Sequence, residues 1–169
     1  RLCVNPDTQG GMTGAVSSLV GYFPCRYCKA CKNSEKVLDY KNVFNGRVFR
    51  INKFLTCTSD HVVYVLICPC RLWYVGSTKH QVKRRILEHR RAITNKDAQY
   101  PVARHFATVH ESNAAQLKYF VLDRIEPLGR GGDRLSKLRQ LESKYIVGLN
   151  TKAPGGLNMD EELFVHLRE

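Results

Sequence analysis

Three of the chain's seven cysteines fall in the run Cys25-Arg26-Tyr27-Cys28-Lys29-Ala30-Cys31, with Cys57 further on and Cys68-Pro69-Cys70 beyond it. A two-residue spacer lets successive thiolates converge on one tetrahedral ion, so the first run has the spacing of a zinc knuckle. An odd, clustered set of cysteines does not suit a disulfide framework and points instead to a reducing compartment. Cys25, Cys28, Cys31 and Cys57 are the expected zinc ligands. Cys68 and Cys70 belong at the far end of an expected strand, roughly 20–26 Å from Cys57, and would join the cluster only if the knuckle folds across.

A second group of side chains could act on an anion. Tyr64 and Tyr74 fall on two expected strands joined by a turn, where strands under about 5 Å apart let two phenols share one small site. Arg85 and His89 are four residues apart, so they project from one face of a helix. Val82 lies on that side as well, which turns the face partly inward, and a cation held there needs an anionic partner. Around them Lys79, Lys83, Arg84, Arg90 and Arg91 form a stripe suited to phosphate contacts. Glu142 interrupts the apolar stripe Leu135, Leu138, Tyr145, Ile146, Leu149 of a later helix. A carboxylate so placed has a cation partner or a raised pKa, either a structural salt bridge or a divalent metal. His105 and His110 are expected to pack only.

The elements that must position these groups follow from pattern. Residues 61–67 are β-branched and aromatic and predict a strand; Cys68-Pro69-Cys70-Arg71 turns the chain, and residues 72–76 return as a second strand. A basic helix is expected from 81 to about 94 with the apolar stripe Val82, Ile86, Ile93. Pro101 suits the first turn of another helix over 102–110, and residues 117–123 read as a third strand. Gly129, Gly131 and Gly132 predict a loop, after which Asp133 can cap a helix running from 134 to about 149. A shorter strand over 47–51 is expected after the Asn45-Gly46 turn. The expected fold is α/β, a small three-stranded mainly antiparallel sheet flanked by helices and preceded by a zinc-binding knuckle.

Composition bounds the function. With 169 residues, 43% hydrophobic and 25% charged, the chain suits one globular domain with a small appendage. Twenty-seven Lys and Arg against fifteen Asp and Glu leave a net charge of +12, and a polyanion such as nucleic acid is the expected partner. The longest apolar stretch, residues 62–70, is about half a bilayer span, so no membrane partner is expected. Opening at Arg1 without Met, the chain is expected to be a piece of a longer polypeptide.

Val62-Val63-Tyr64, then Tyr74-Val75-Gly76, Arg85, His89 and a distal Glu142 resemble the GIY-YIG nuclease family. The surrounding text resembles the endonuclease end of Penelope-like retroelements: the cysteine knuckle, Cys57, Tyr74-Val75-Gly76-Ser77-Thr78, Pro101-Val102-Ala103-Arg104-His105-Phe106, Arg130-Gly131-Gly132-Asp133 and residues 149–158. The resemblance spans residues 25–158. It departs at Val62 and Val63, which replace the Gly and Ile of the first motif. The arginine stands nine residues after Gly76 where many members have eight, which leaves Arg84 as a rival to Arg85. Residues 1–24, rich in Gly, Ser and Thr, are expected to be a linker and 159–169 an acidic tail; between them 25–57 is the expected zinc-binding segment and, on this resemblance, 58–158 the nuclease domain.

The resemblance implies phosphodiester hydrolysis at one divalent metal, Mg²⁺ or Mn²⁺, held by Glu142. Tyr64 would deprotonate or orient the attacking water and Tyr74 would position water or phosphate, with one phenol lowered by nearby cations; which is the base stays open. Arg85 would steady the charged transition state, His89 would bind phosphate or relay a proton, and Asn158 would support the site. The expected product is a nick in double-stranded DNA whose 3′-hydroxyl primes target-primed reverse transcription. Element RNA and an upstream reverse transcriptase domain of the same polypeptide would be partners, and the nucleus the place of action. The alternatives are a non-catalytic zinc-containing nucleic-acid-binding module and a GIY-YIG nuclease of DNA repair or homing.

Overall fold

The computed structural model describes residues 19–42, 45–129 and 132–159. The expected linker over 1–18, Arg130-Gly131 of the glycine loop and the acidic tail from 160 onward lie outside the described residues. In chain order the elements are β1 (Gly21–Phe23), β2 (Asp39–Lys41), β3 (Val48–Arg50), β4 (Phe54–Thr56), β5 (Val62–Ile67), β6 (Trp73–Thr78), α1 (Val82–Thr94), α2 (Pro101–Val109), β7 (Lys118–Arg124) and α3 (Arg134–Gly148).

The chain is a mixed α/β protein whose main sheet has the order β6-β5-β7, antiparallel at both pairings. Central β5 is apolar on both faces because both are covered, and Val62 through Leu66 are buried. The β7 register slips by one residue opposite the Val63/Tyr64 junction, a bulge beside a residue of chemical interest. Two smaller sheets are present: β1 pairs with β4 in parallel and β2 with β3 antiparallel. Of their strands, β3 is the one expected over 47–51 after the Asn45-Gly46 turn; the others have no such turn signal, and three residues carry no period from which to read them.

Residues 21–23 therefore correct the expectation of a linker through 24. Tyr22 is buried, its hydroxyl is 3.0 Å from Ser34 Oγ, and its ring packs on Tyr119 of β7. The cysteine-rich segment also shares the main core, through Tyr22, Ala30, Tyr40, Ile51 and Leu55, and does not rest on metal alone. Asn33 is the polar tie between the two parts, donating from Nδ2 to Leu117 O at 2.6 Å and to Ala115 O at 3.2 Å.

The long elements form where the pattern places them. Val82, Ile86 and Ile93 of α1 are buried, and Asp133 caps α3 by accepting from the N–H groups of Leu135 and Ser136. No side chain caps α1. Its first N–H groups are met instead by backbone carbonyls: Val82 N donates to Ser59 O and Lys83 N to Cys57 O, both at 3.0 Å. Helix α1 is thus hung from the residue that ends the cysteine segment. Among the described residues no helix is long and apolar enough to cross a membrane.

Candidate active site and metal-ligand clusters

Tyr64 and Tyr74 share one face of the β5–β6 pair, because Tyr64 stands opposite Gly76 and Tyr74 opposite Leu66. The Tyr64 hydroxyl crosses directly over Gly76. A Cβ at that glycine would lie 2.6 Å from the phenol oxygen and 2.9 Å from the Tyr74 ring, so only glycine lets both phenols occupy this face. Helix α1 brings Arg85 and His89 onto it. Tyr64 Oη is 2.8 Å from His89 Nε2, and Arg85 Nε donates to the same oxygen at 3.3 Å. Arg84 is exposed and does not meet this cluster, so Arg85 is the arginine at the site.

Burial dominates the electrostatics. Tyr64 is wholly inaccessible, and its desolvation pushes the phenol above the usual tyrosine range although the Arg85 charge pulls the other way. Of the two phenols, Tyr64 is not the one that nearby cations lower: one guanidinium does not offset complete burial. His89 is pushed down to about 3 by burial and then by the Arg85 charge, so it is a neutral imidazole at neutral pH. A neutral imidazole offers a phosphate no charge, and its contact here is the hydrogen bond with the Tyr64 hydroxyl. Arg85 keeps its charge, because burial is outweighed by its contacts with Tyr64 and with Glu88 Oε2 at 2.9 Å.

Glu142 comes from α3, which packs on β6, and its Oε2 accepts the Ser77 hydroxyl at 2.7 Å. Ser77 follows Gly76 and alternates to the opposite side of the strand, so this contact anchors Glu142 on the sheet face away from the two tyrosines. Its charge acts on Tyr64 in the same sense as burial, as a minor contribution. A single half-buried carboxylate fits a hydrated Mg²⁺ or Mn²⁺ shared with a substrate phosphate.

Asn158 is buried and structural. Its side chain accepts from Val75 N at 2.9 Å and donates to Val75 O at 2.8 Å, while Leu157 N donates to Trp73 O. The 157–158 segment therefore completes the open edge of β6 in place of a fourth strand and fixes Tyr74 and Gly76. In the basic stripe Lys79, Arg84 and Arg91 are exposed, Lys83 is half-buried, and Arg90 donates to Lys29 O at 3.1 Å.

Cys25, Cys28, Cys31 and Cys57 converge, with all four Sγ atoms within 4.8 Å of one another. Cys31 Sγ stands 3.5, 3.3 and 3.5 Å from those of Cys25, Cys28 and Cys57. A tetrahedral zinc with bonds of about 2.3 Å wants sulfurs roughly 3.8 Å apart, so a small expansion accommodates the ion. The N–H groups of Cys25 and Arg26 already point at Cys57 and Cys31 Sγ, at 3.1 and 3.2 Å, as outer-shell donors to thiolates.

Cys68 and Cys70 do not join them, and His105 and His110 do more than pack. These four form a second cluster, with Cys68 Sγ 2.9 Å from His110 Nε2 and Cys70 Sγ 3.2 Å from His105 Nε2. The donor set is that of a Cys₂His₂ zinc site. Its signal was in the sequence: His105 and His110 have the four-residue spacer usual for paired zinc histidines, but their partner thiols lie about forty residues upstream.

Tyr100 is the other residue that sequence reading missed. It precedes α2, its ring lies 6.2 Å from that of His89, and the Arg85 guanidinium sits 5.8 Å from its centroid. With Tyr64 and Tyr74, both 5.8 Å from the imidazole, it closes an aromatic surround of His89. Comparison with known proteins finds no family model, no curated protein and no solved structure that matches this chain.

Proposed function

We propose that this chain is a metal-dependent DNA endonuclease of the GIY-YIG type. The observation that carries the reading is the Tyr64–His89–Arg85 cluster, joined on its sheet face by Tyr74, with Glu142 bound to β6 through Ser77. The hydrogen bonds to His89 and from Arg85 hold the Tyr64 hydroxyl in place, so Tyr64 is the group that orients water and His89 its positioning partner. Tyr74 lines the same face and positions water or phosphate. Arg85, already charged and fixed, meets the negative charge that builds on phosphorus, a role worth about 10²–10³ in rate for one good donor. Glu142 would hold Mg²⁺ or Mn²⁺, which when bound would supply Lewis-acid polarisation of the scissile phosphate and stabilisation of the departing oxygen. Zinc at Cys25, Cys28, Cys31 and Cys57, and at Cys68, Cys70, His105 and His110, is structural. The retroelement setting, with nicked double-stranded DNA priming reverse transcription in the nucleus, rests on the sequence resemblance.

The test is plasmid relaxation by the zinc-loaded chain with Mg²⁺ or Mn²⁺ beside Glu142→Ala. Nicking that needs the added metal and falls by 10³-fold or more on substitution, an order-of-magnitude expectation, supports the reading. Binding of DNA by both proteins with nicking by neither favours the non-catalytic binding module. Equal nicking by both removes Glu142 from the mechanism.

A further inference from the structure

The cysteine knuckle carries a feature that hydrolysis does not use. Beside it lies an open cleft of about 530 Å³, lined by Arg26, Tyr27, Lys29, Lys32, Glu35 and Lys36 among others. This volume falls within the roughly 300–1,000 Å³ of ordinary ligand sites. None of the four cations is ion-paired with a described residue; Lys36 lies over the Phe23 ring at 5.2 Å. The single carboxylate there, Glu35, is itself drawn toward Lys118 Nζ at 3.8 Å. The cleft is therefore strongly positive.

Tyr27 stands at its edge with 94% of its surface exposed. The reason is local. Cys25 and Cys28 must turn inward to their cluster, and Arg26 takes a left-handed φ of 65° between them, so the intervening residues face out. The same cluster that would hold zinc thus presents an exposed phenol ring beside four cations that have no ion-pair partner among the described residues.

Resting on the nucleic-acid reading above, we infer that this cleft binds unpaired nucleotides, Tyr27 stacking on a base while Arg26, Lys29, Lys32 and Lys36 hold the flanking phosphates. Stacking needs an open base face, which the interior of a duplex does not offer, whereas any unpaired base does. A positive groove with an exposed aromatic ring is the combination that recognises single strands without sequence preference. The short helical turn at Lys29–Asn33 packs against α1, and Lys29 O receives Arg90, so a strand held here lies alongside the helix that bears Arg85 and His89.

The test is fluorescence anisotropy with labelled oligothymidylate and oligouridylate of about twelve nucleotides, and an unlabelled duplex as competitor. The zinc-loaded chain is compared with Tyr27→Ala, Tyr27→Phe and Lys32→Ala. No Mg²⁺ or Mn²⁺ is present, so the result stands apart from hydrolysis. Tyr27→Ala should weaken single-strand binding about 5- to 100-fold while Tyr27→Phe retains it, as expected for loss of one stacked base. Lys32→Ala should reduce the slope of log affinity against log salt by about 0.7. Unchanged single-strand affinity in Tyr27→Ala, with zinc content and circular dichroism intact, overturns the inference. So does a duplex that competes as well as an equal length of single strand.

Discussion

The four-cysteine cluster and the Cys68–Cys70–His105–His110 cluster stand at opposite ends of β5, with Cys57 before Val62 and Cys68 just after Ile67. The first gathers three ligands from seven consecutive residues and ties the N-terminal segment to the root of α1 through Cys57 O and Lys83 N. The second joins a turn between two strands to a helix, and through α2 it fixes Tyr100 against His89 and Arg85. One end of the central strand thus aims α1 at the tyrosines, and the other closes the aromatic surround behind it. The difference teaches that the two ends should fail differently: the first by releasing a whole segment, the second by loosening one wall of the site.

The sharpest way to break this comparison is to remove one ligand from each end. Cys57→Ser should lower bound zinc from two to one per chain and cost about 4 kcal/mol or more, the class of loss that follows a destroyed metal site. His110→Ala should also leave one zinc but cost less, on the order of 2 kcal/mol, because α2 keeps its buried Val102, Ala103 and Phe106. Zinc analysis with denaturant melts checks both; equal losses would erase the distinction drawn between the ends.

What the sequence revealed follows the same divide. Composition placed β5, β6, α1 and α3 within a residue or two, since six or more residues of period or β-branching outweigh local noise. Cys25, Cys28 and Cys31 were legible because ligand spacing is a local property. Cys68 and His110 were not, because their proximity depends on how α2 packs against the β5–β6 turn. Tyr100 was hidden for the same reason, and the short parallel pairing of Gly21–Phe23 with Phe54–Thr56 leaves no periodic trace. The structure brings Arg85, four residues before His89, to the Tyr64 hydroxyl and leaves Arg84 exposed. Which of the two phenols cations could lower was not legible, because complete burial of Tyr64 depends on how α1 packs over the sheet.

A smaller effect separates the site from both clusters. His89 is held neutral in the fold, with its pKa depressed to about 3, while the unfolded chain protonates it near the usual value of about 6.5. Between those values the unfolded state binds the extra proton, so stability falls as pH drops, by up to about 1.4 kcal/mol per pH unit. Acid also strips thiolate zinc sites, so the contribution of His89 is read from the difference between the native chain and His89→Gln in denaturant melts from pH 7 to 5. The variant should show the shallower decline; parallel curves would mean that His89 does not carry this penalty.

The account rests most directly on Tyr64, the phenol that His89, Arg85 and Gly76 together hold in place. The decisive measurement is the rate of Mg²⁺- or Mn²⁺-dependent plasmid nicking by Tyr64→Phe beside the native chain, both carrying two zinc ions and giving the same circular dichroism. Removing the hydroxyl while keeping the ring should slow nicking by about 10²–10⁴-fold, the usual worth of a positioned acid or base. Equal rates in the two proteins would contradict the assignment and take the buried tyrosine, with its histidine and arginine, out of the chemistry.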